Sequence, residues 1–239
     1  MSPTPTTNEP IATDADATPE ETDIAQRAAL LQALKRHTAA DTNTASASFL
    51  APYAPTVRAR RLRALDAARV TPDDVVYDLG SGTGEVLIDA AKMGVQKCVG
   101  LEIDDTLNAR ARDNALDAGV AERCEFRSCD ITKMTPDALA RGPPGVPAPT
   151  VVFCWLTSGG LTRVSSKLRR AWEMGTFRIV TCVDSLDACV DYLADGAFAE
   201  PRDDGWEVSR AHSDFGIYVV PEQGVSVDEW SHRATAATS

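Results

Sequence analysis

Val75-Val76-Tyr77-Asp78-Leu79-Gly80-Ser81-Gly82-Thr83-Gly84-Glu85 is the stretch that decides how this chain is read. An apolar run of strand length closes on an acid. Glycine then occupies every second position, and an apolar helical run starts at Glu85. Gly80 and Gly82 accept backbone conformations, and a closeness of approach, that a β-carbon blocks. Such a turn can press its main chain against a ligand, with the free N–H groups of the helix start facing it.

The pattern extends outward as an alternation. Strands are expected at Val75–Leu79, Lys97–Ile103, Cys124–Cys129, Thr150–Leu156 and Phe177–Val183. Helices are expected near Glu85–Met93, Asp105–Ala118, Leu161–Trp172 and Leu186–Leu193. Strand and helix in turn imply parallel pairing with right-handed crossovers, hence an α/β, doubly wound sheet. Near-continuous apolar strands such as Val-Val-Phe-Cys-Trp-Leu at 151–156 suit a sheet covered on both faces. Trp206–Ala211 and Phe215–Val220, joined by His212-Ser213-Asp214, predict an antiparallel hairpin that closes it.

The ligand follows from spacing and charge. Dinucleotide sites favour G-x-G-x-x-G, with pyrophosphate on the helix start. Here the spacing is G-x-G-x-G and Asp78 precedes it, an acid poorly suited to sit behind a pyrophosphate. The Gly-Lys-Ser/Thr of phosphate-loop NTPases is absent. S-adenosylmethionine (AdoMet) carries no phosphate but a positive sulfonium and an amino group, which an acidic strand end suits. Two further strands end in acids. Glu102, followed by Ile103, falls beside the glycine loop, where two carboxylate oxygens match the two hydroxyls of a ribose. Asp130 is placed to accept from an adenine amino group while Ile131 packs on the ring. The strand that runs through Trp155 to Thr157-Ser158-Gly159-Gly160 should lie next to the first strand, across the switch point where ligands bind. The plainer alternatives are a ligand-free turn for the loop, a solvated carboxylate for Glu102 and a turn aspartate for Asp130.

Composition narrows the class. The chain has 239 residues, 44% of them hydrophobic, and a formal charge of −11. That is one domain with tails, and its sign counts against a nucleic-acid partner. The six cysteines form no C-x-x-C pair and have no histidine at ligand spacing, so they read as buried free thiols of a reducing compartment, with no metal site. No apolar run approaches the ~20 residues of a membrane span. The first 26 residues lack Lys and Arg and contain several acids, which suits neither a signal peptide nor a mitochondrial presequence; cytosol, or cytosol plus nucleus, is expected. Residues 1–18 read as a disordered acidic tail, 19–48 as a helix (near 19–37) and linker, 49–230 as the catalytic domain and 231–239 as a frayed tail. Arg58, Arg60, Arg61, Arg63 and Arg69 read as a solvated helix face, with a phosphate patch as the alternative. Trp172 and Trp206 read as core or rim.

Together these residues resemble the class I AdoMet-dependent methyltransferases. D-L-G-S-G-T-G at 78–84 is similar to that family's first motif, Glu102 to its ribose-binding acid and Asp130-Ile131 to its adenine-binding pair. The resemblance covers roughly residues 70–220. It implies a Rossmann-like, seven-stranded sheet of order 3-2-1-4-5-7-6 with the last strand antiparallel, and AdoMet as cofactor. It assigns binding to Asp78, Gly80, Ser81, Gly82, Gly84, Glu102, Ile103, Asp130, Ile131 and Trp155. Pro52-Tyr53-Ala54-Pro55 ahead of the loop looks like the protein-lysine methyltransferases related to the ATP synthase c-subunit enzyme. This implies a protein lysine as acceptor. Tyr53 is the first candidate to line its entry, with Thr56, Trp155 and Thr157 next; an aromatic that packs the linker onto the domain is the plainer reading of Tyr53. A small-molecule acceptor is the first alternative. A nucleic acid ranks lower, since no Asn/Asp-Pro-Pro-Tyr/Phe follows strand four. A non-catalytic AdoMet-binding module is the last.

Overall fold

The structure, a computed structural model, describes residues 56–188 and 205–236. The expected tail over 1–18, the helix near 19–37 and Tyr53 lie outside the described residues, as does the part of the expected helix 186–193 that follows Ala188.

The chain order is α1 (Arg58–Ala67), β1 (Val75–Leu79), α2 (Glu85–Lys92), β2 (Lys97–Glu102), α3 (Asp105–Asp117), β3 (Cys124–Ser128), α4 (Pro136–Arg141), β4 (Val151–Phe153), α5 (Ser158–Met174), β5 (Arg178–Cys182), β6 (Ser209–His212), β7 (Ile217–Val220) and α6 (Val227–Ala236). The seven strands order as β3-β2-β1-β4-β5-β7-β6. β1 to β5 pair in parallel; β7 runs antiparallel to both β5 and β6. This is the Rossmann-like sheet expected from the sequence, with its order reversing between β1 and β4.

Successive side chains of a strand face opposite sides, so a buried sheet needs apolar residues at consecutive positions. β1 meets that demand. Val76 joins Val151, Phe153, Val180 and Ile217 in one core, under α1, α2, α3 and α6. Tyr77 and Leu79 join Val99, Leu101, Val152 and Ile179 in the other, under α4 and α5. Trp230 of α6 is buried in the first core, and α6 continues to Ala236. The expectation of fraying from Ser231 is therefore corrected: a buried anchor one residue before that point docks the helix. Residues 186–188, expected to open a helix, form a turn.

The arginines of the first helix are also placed differently. Arg60 is buried. Arg61 Nε donates to Asp89 Oδ2 at 2.7 Å, tying α1 to α2. Arg63 lies over the Phe215 ring and Arg69 over the Trp230 ring, at 4.7 and 4.0 Å from the centroids. Arg58 and Arg63 keep the solvated character expected of the group; 59% of the Arg58 side chain is exposed, and Arg63 stays exposed while lying over its ring. Alternate charge along a helix is thus no guide to its solvent face when aromatic rings and a buried aspartate stand opposite. Trp172 and Trp206 pack together at the rim of the second core, as expected, with Arg169 over both rings.

Candidate functional site

The carboxyl ends of β1, β2, β3 and β4 bring most of the predicted residues to one edge. β1 ends at Leu79 and the chain turns through three left-handed glycines, Gly80, Gly82 and Gly84, with φ of +86°, +53° and +81°. Residues with a β-carbon rarely occupy that region. Space enforces glycine as well. A β-carbon on Gly84 would meet the Phe126 ring at 2.7 Å, and one on Gly80 would meet Leu156 Cδ2 at 3.2 Å. The loop is pinned from β2: Gly80 N donates to Leu101 O at 2.8 Å, and Gly82 N to Glu102 Oε2 at 3.0 Å. It therefore opens α2 in one shape, with α2's first residue an acid, Glu85.

Three acids converge there. Asp78 is buried, its carboxyl pushed up to about 8 by desolvation first and then by the charges of Glu102 and Glu85. Glu102 is buried too. One of its oxygens accepts from Gly82 N and the other from Asp104 N at 3.0 Å. Each carboxylate oxygen has two lone pairs, so both can take a further donor. Among the described residues no lysine or arginine forms an ion pair with Asp78 or Glu102. Buried acids normally have such partners, so among the described residues Asp78 and Glu102 lack a cation.

Other predicted residues fall less simply. Ile103, next to Glu102, is 41% exposed, while Ile131 is 7% exposed and belongs to the second core. The expected packing of Ile131 on a base is therefore corrected: its side chain is committed to the interior. Asp130 Oδ1 accepts from Thr132 N at 3.0 Å and Thr132 Oγ1 at 2.6 Å, and Lys133 pairs with its other oxygen at 3.1 Å. Ser81 turns inward: a β-carbon on Gly100 would lie 2.5 Å from its Oγ. That hydroxyl is buried without a hydrogen-bond partner. Trp155 sits edge-on to Phe153, centroids 6.0 Å apart, and its buried Nε1 also has no partner. Thr157 caps α5, its side chain accepting from Gly160 N at 3.3 Å.

Two asparagines of α3 went unread in the sequence. Asn108, fully buried, donates to Glu102 O at 2.9 Å, and Asn114 donates to Thr83 O at 3.1 Å. They hold the acid and the glycine loop from behind. A signal existed: Asn108 shares the buried face of α3 with Ala111 and Ala115 at helical spacing. A polar side chain on such a face needs a partner.

The site fits a group that is positive at one end and polar along its length. The neighbouring anions repel a pyrophosphate. The loop offers backbone at close range, and Ile103 offers an exposed apolar surface.

Residues 78–188 match the family described as the ANTKMT methyltransferase domain. The chain is 41% identical over 90 residues to a protein-lysine N-methyltransferase of Saccharolobus islandicus, covering 35% of this chain and 56% of that one. It is 41% identical over 65 residues to a ribosomal protein L11 methyltransferase of Escherichia coli, 27% of this chain and 22% of that one. The chain thus spans about half the length of the first curated relative and less of the second. A crystal structure of an RNA methyltransferase from Salinibacter ruber with S-adenosyl-L-homocysteine superposes with a TM-score of 0.49 at 29% identity, covering 71% of this chain and 95% of that one.

Proposed function

We propose that this chain, a class I AdoMet-dependent methyltransferase, transfers a methyl group to the side-chain amine of a protein lysine. The observation that carries the cofactor is the cation-free group of buried acids, Asp78 and Glu102, on the glycine loop. The acceptor rests on the likeness to the archaeal protein-lysine enzyme and to the matched family. AdoMet supplies an activated methyl on a positive sulfur, ready for in-line displacement.

The chain's own residues then have distinct tasks. Glu102 offers its remaining lone pairs to the ribose hydroxyls while its bonds to Gly82 N and Asp104 N fix its direction. Ile103 gives the base an apolar face. Asp78 answers the positive end of the ligand and gives up its own proton as that charge arrives. Gly80, Gly82 and Gly84 keep side chains out of the cradle, and Asn114 holds it shut from behind through Thr83 O. Ser81 sits at the β1–β2 junction, its buried hydroxyl without a hydrogen-bond partner. Asp130 shapes the turn after β3.

Catalysis of this kind is alignment and exclusion of water; no protein nucleophile is required. A lysine must first lose its proton, which costs about 4–5 kcal/mol at pH 7 from a free pKa near 10.4. Burial lowers that cost by disfavouring the charged form. Thr157 and Trp155, which follow β4, are assigned to the wall of the amine's channel; Tyr53, the other candidate from the sequence, lies outside the described residues. The described residues contain no helix long and apolar enough to cross a membrane. The free thiols Cys98, Cys154 and Cys182, all buried, suit a cytosolic protein.

Incubation with radiolabelled AdoMet and cell lysate tests the reading. Label in a protein band, located on lysine by mass spectrometry, is expected. Label confined to RNA or to small molecules would overturn the acceptor, and failure to bind AdoMet would overturn the cofactor.

A further inference from the structure

The elbow after β5 lies on the same edge as the glycine loop and is strained. Val183 has φ of +73°, a conformation that β-branched side chains rarely adopt. It is held there from β7: Val183 N donates to Gly216 O at 2.7 Å, continuing the Cys182–Ile217 pairing. Such outliers persist only where the surroundings over-determine them, and they cluster at functional sites. The effect of this one is to set the next residue, Asp184.

Asp184 is half-buried and accepts the backbone N–H of Ser158, the first residue of α5. That contact places it beside Thr157. Thr157 in turn follows Leu156, whose side chain lies against Gly80 of the glycine loop. The series Gly80, Leu156, Ser158, Asp184 thus steps from the proposed cofactor cradle along the edge towards β5. Charge separates Asp184 from its neighbour. Asp187 is matched by Arg210 at 2.7 Å and by Ser185 Oγ at 2.6 Å. Asp184 forms no ion pair among the described residues, and the Ser158 N–H donates to it.

We propose that Asp184 receives the acceptor amine, the carboxylate on the strained elbow holding the incoming nitrogen beside Thr157. The class of acceptor is a primary amine on a flexible stem. The inference rests on the amine-methylating reading above and adds the residue that selects for it. The amine arrives as an ammonium and is oriented by Asp184. It loses one proton to water, and its lone pair then forms the N–C bond. The C–S bond breaks with its electron pair staying on sulfur. The product nitrogen is again positive and remains matched by Asp184 until release. Burial pushes the Asp184 carboxyl up, against the Ser158 N–H that pulls it down, so an approaching cation also secures its ionised form.

The test compares two ligands on the full chain. Sinefungin carries a protonated amine where AdoMet carries its methyl; S-adenosyl-L-homocysteine carries nothing there. Asp184→Asn should weaken sinefungin by about tenfold or more, the scale of a charge-assisted hydrogen bond, and leave S-adenosyl-L-homocysteine unchanged. Asp184→Glu should restore much of the difference, which a role confined to capping α5 would not. Equal affinity ratios in wild type and Asp184→Asn would overturn the inference. So would equal losses for both ligands, which would mark a structural role. If Asp184→Asn does not fold, Asp184→Ser should show the same selective loss of sinefungin and Asp184→Glu its recovery. The lysate experiment fails separately: an Asp184-dependent preference for sinefungin without label on lysine would sink the lysine reading and keep an amine acceptor.

Discussion

The two edges of the sheet carry similar residue types and use them in opposite ways. At the amino edge, Asp74 is closed off. Arg178 pairs with it through both terminal nitrogens, at 3.1 and 2.8 Å, Thr150 Oγ1 donates at 2.6 Å and Thr71 N at 2.8 Å. Burial pushes that carboxyl up, but these donors outweigh it and hold it below the ordinary range. Arg178 also donates to Thr150 O and Arg69 O, at 3.2 and 3.1 Å, so it clamps β5, β4 and the end of α1. At the carboxyl edge, Asp78 is as deeply buried yet has no cation among the described residues, and its carboxyl rises to about 8. A protein that stabilises one edge and strains the other has separated folding from binding along the length of its strands.

The separation can be broken at either end. Arg178→Ala should do most damage. It leaves Asp74 buried without its cation, which typically costs about 3–5 kcal/mol. Chemical denaturation should show that loss, while the AdoMet dissociation constant of the remaining folded protein stays near wild type. A large change in affinity with little loss of stability would mean the edges are coupled.

Gly82→Val acts at the other end. Its φ of +53° is strained for a β-branched residue, and the side chain would stand in the cradle. AdoMet affinity should fall by more than about 100-fold, roughly 3 kcal/mol, with the far-UV spectrum close to native. Tight binding by this variant would show that the loop does not touch ligand. Glu102→Ala removes a charge-assisted acceptor worth about 1.5–3 kcal/mol, so calorimetry should show affinity weakened about 10- to 150-fold. An unchanged constant would take Glu102 out of the site.

What the sequence disclosed follows the same division. The carboxyl edge was legible because glycine spacing and strand-end acids are local features, and Gly80, Gly82, Gly84, Asp78 and Glu102 stand together as expected. Strand order was legible through the family resemblance. Features that depend on distant partners were not. Arg60 and Arg61 looked solvated because nothing nearby in sequence announces the packing of α1 or Asp89. Ile131 and Ile103 both follow a strand-end acid, and only packing under α4 and α5 decides which is buried. α4 was missed because Pro136–Arg141 is too short to show a period. Val183's left-handed backbone has no sequence signal at all, since valine is the residue least expected there.

The pH dependence separates the edges most sharply, because it follows a single proton. A carboxyl raised from its ordinary value to about 8 keeps its proton in the folded, ligand-free protein where the unfolded chain has lost it. The folded state then binds more protons than the unfolded one between roughly pH 4 and pH 8, so Asp78 lowers stability as pH rises through that window. Asp78→Asn removes this dependence: the variant's Tm should gain on wild type as pH rises from 5 to 8, at about 2–4 °C per kcal/mol. Asp74, held below its ordinary value, acts with the opposite sign. Its contribution is present above the unfolded value and is lost as pH falls through the folded one. In binding, a positive ligand should drive the proton off Asp78. Below pH 8, AdoMet affinity should then rise by up to about tenfold per pH unit, with one proton released, and calorimetry in buffers of different ionisation enthalpy counts that proton. Asp78→Asn should flatten the pH dependence and abolish the release. If the release persists in that variant, the proton comes from another group and Asp78 does not face the ligand's charge.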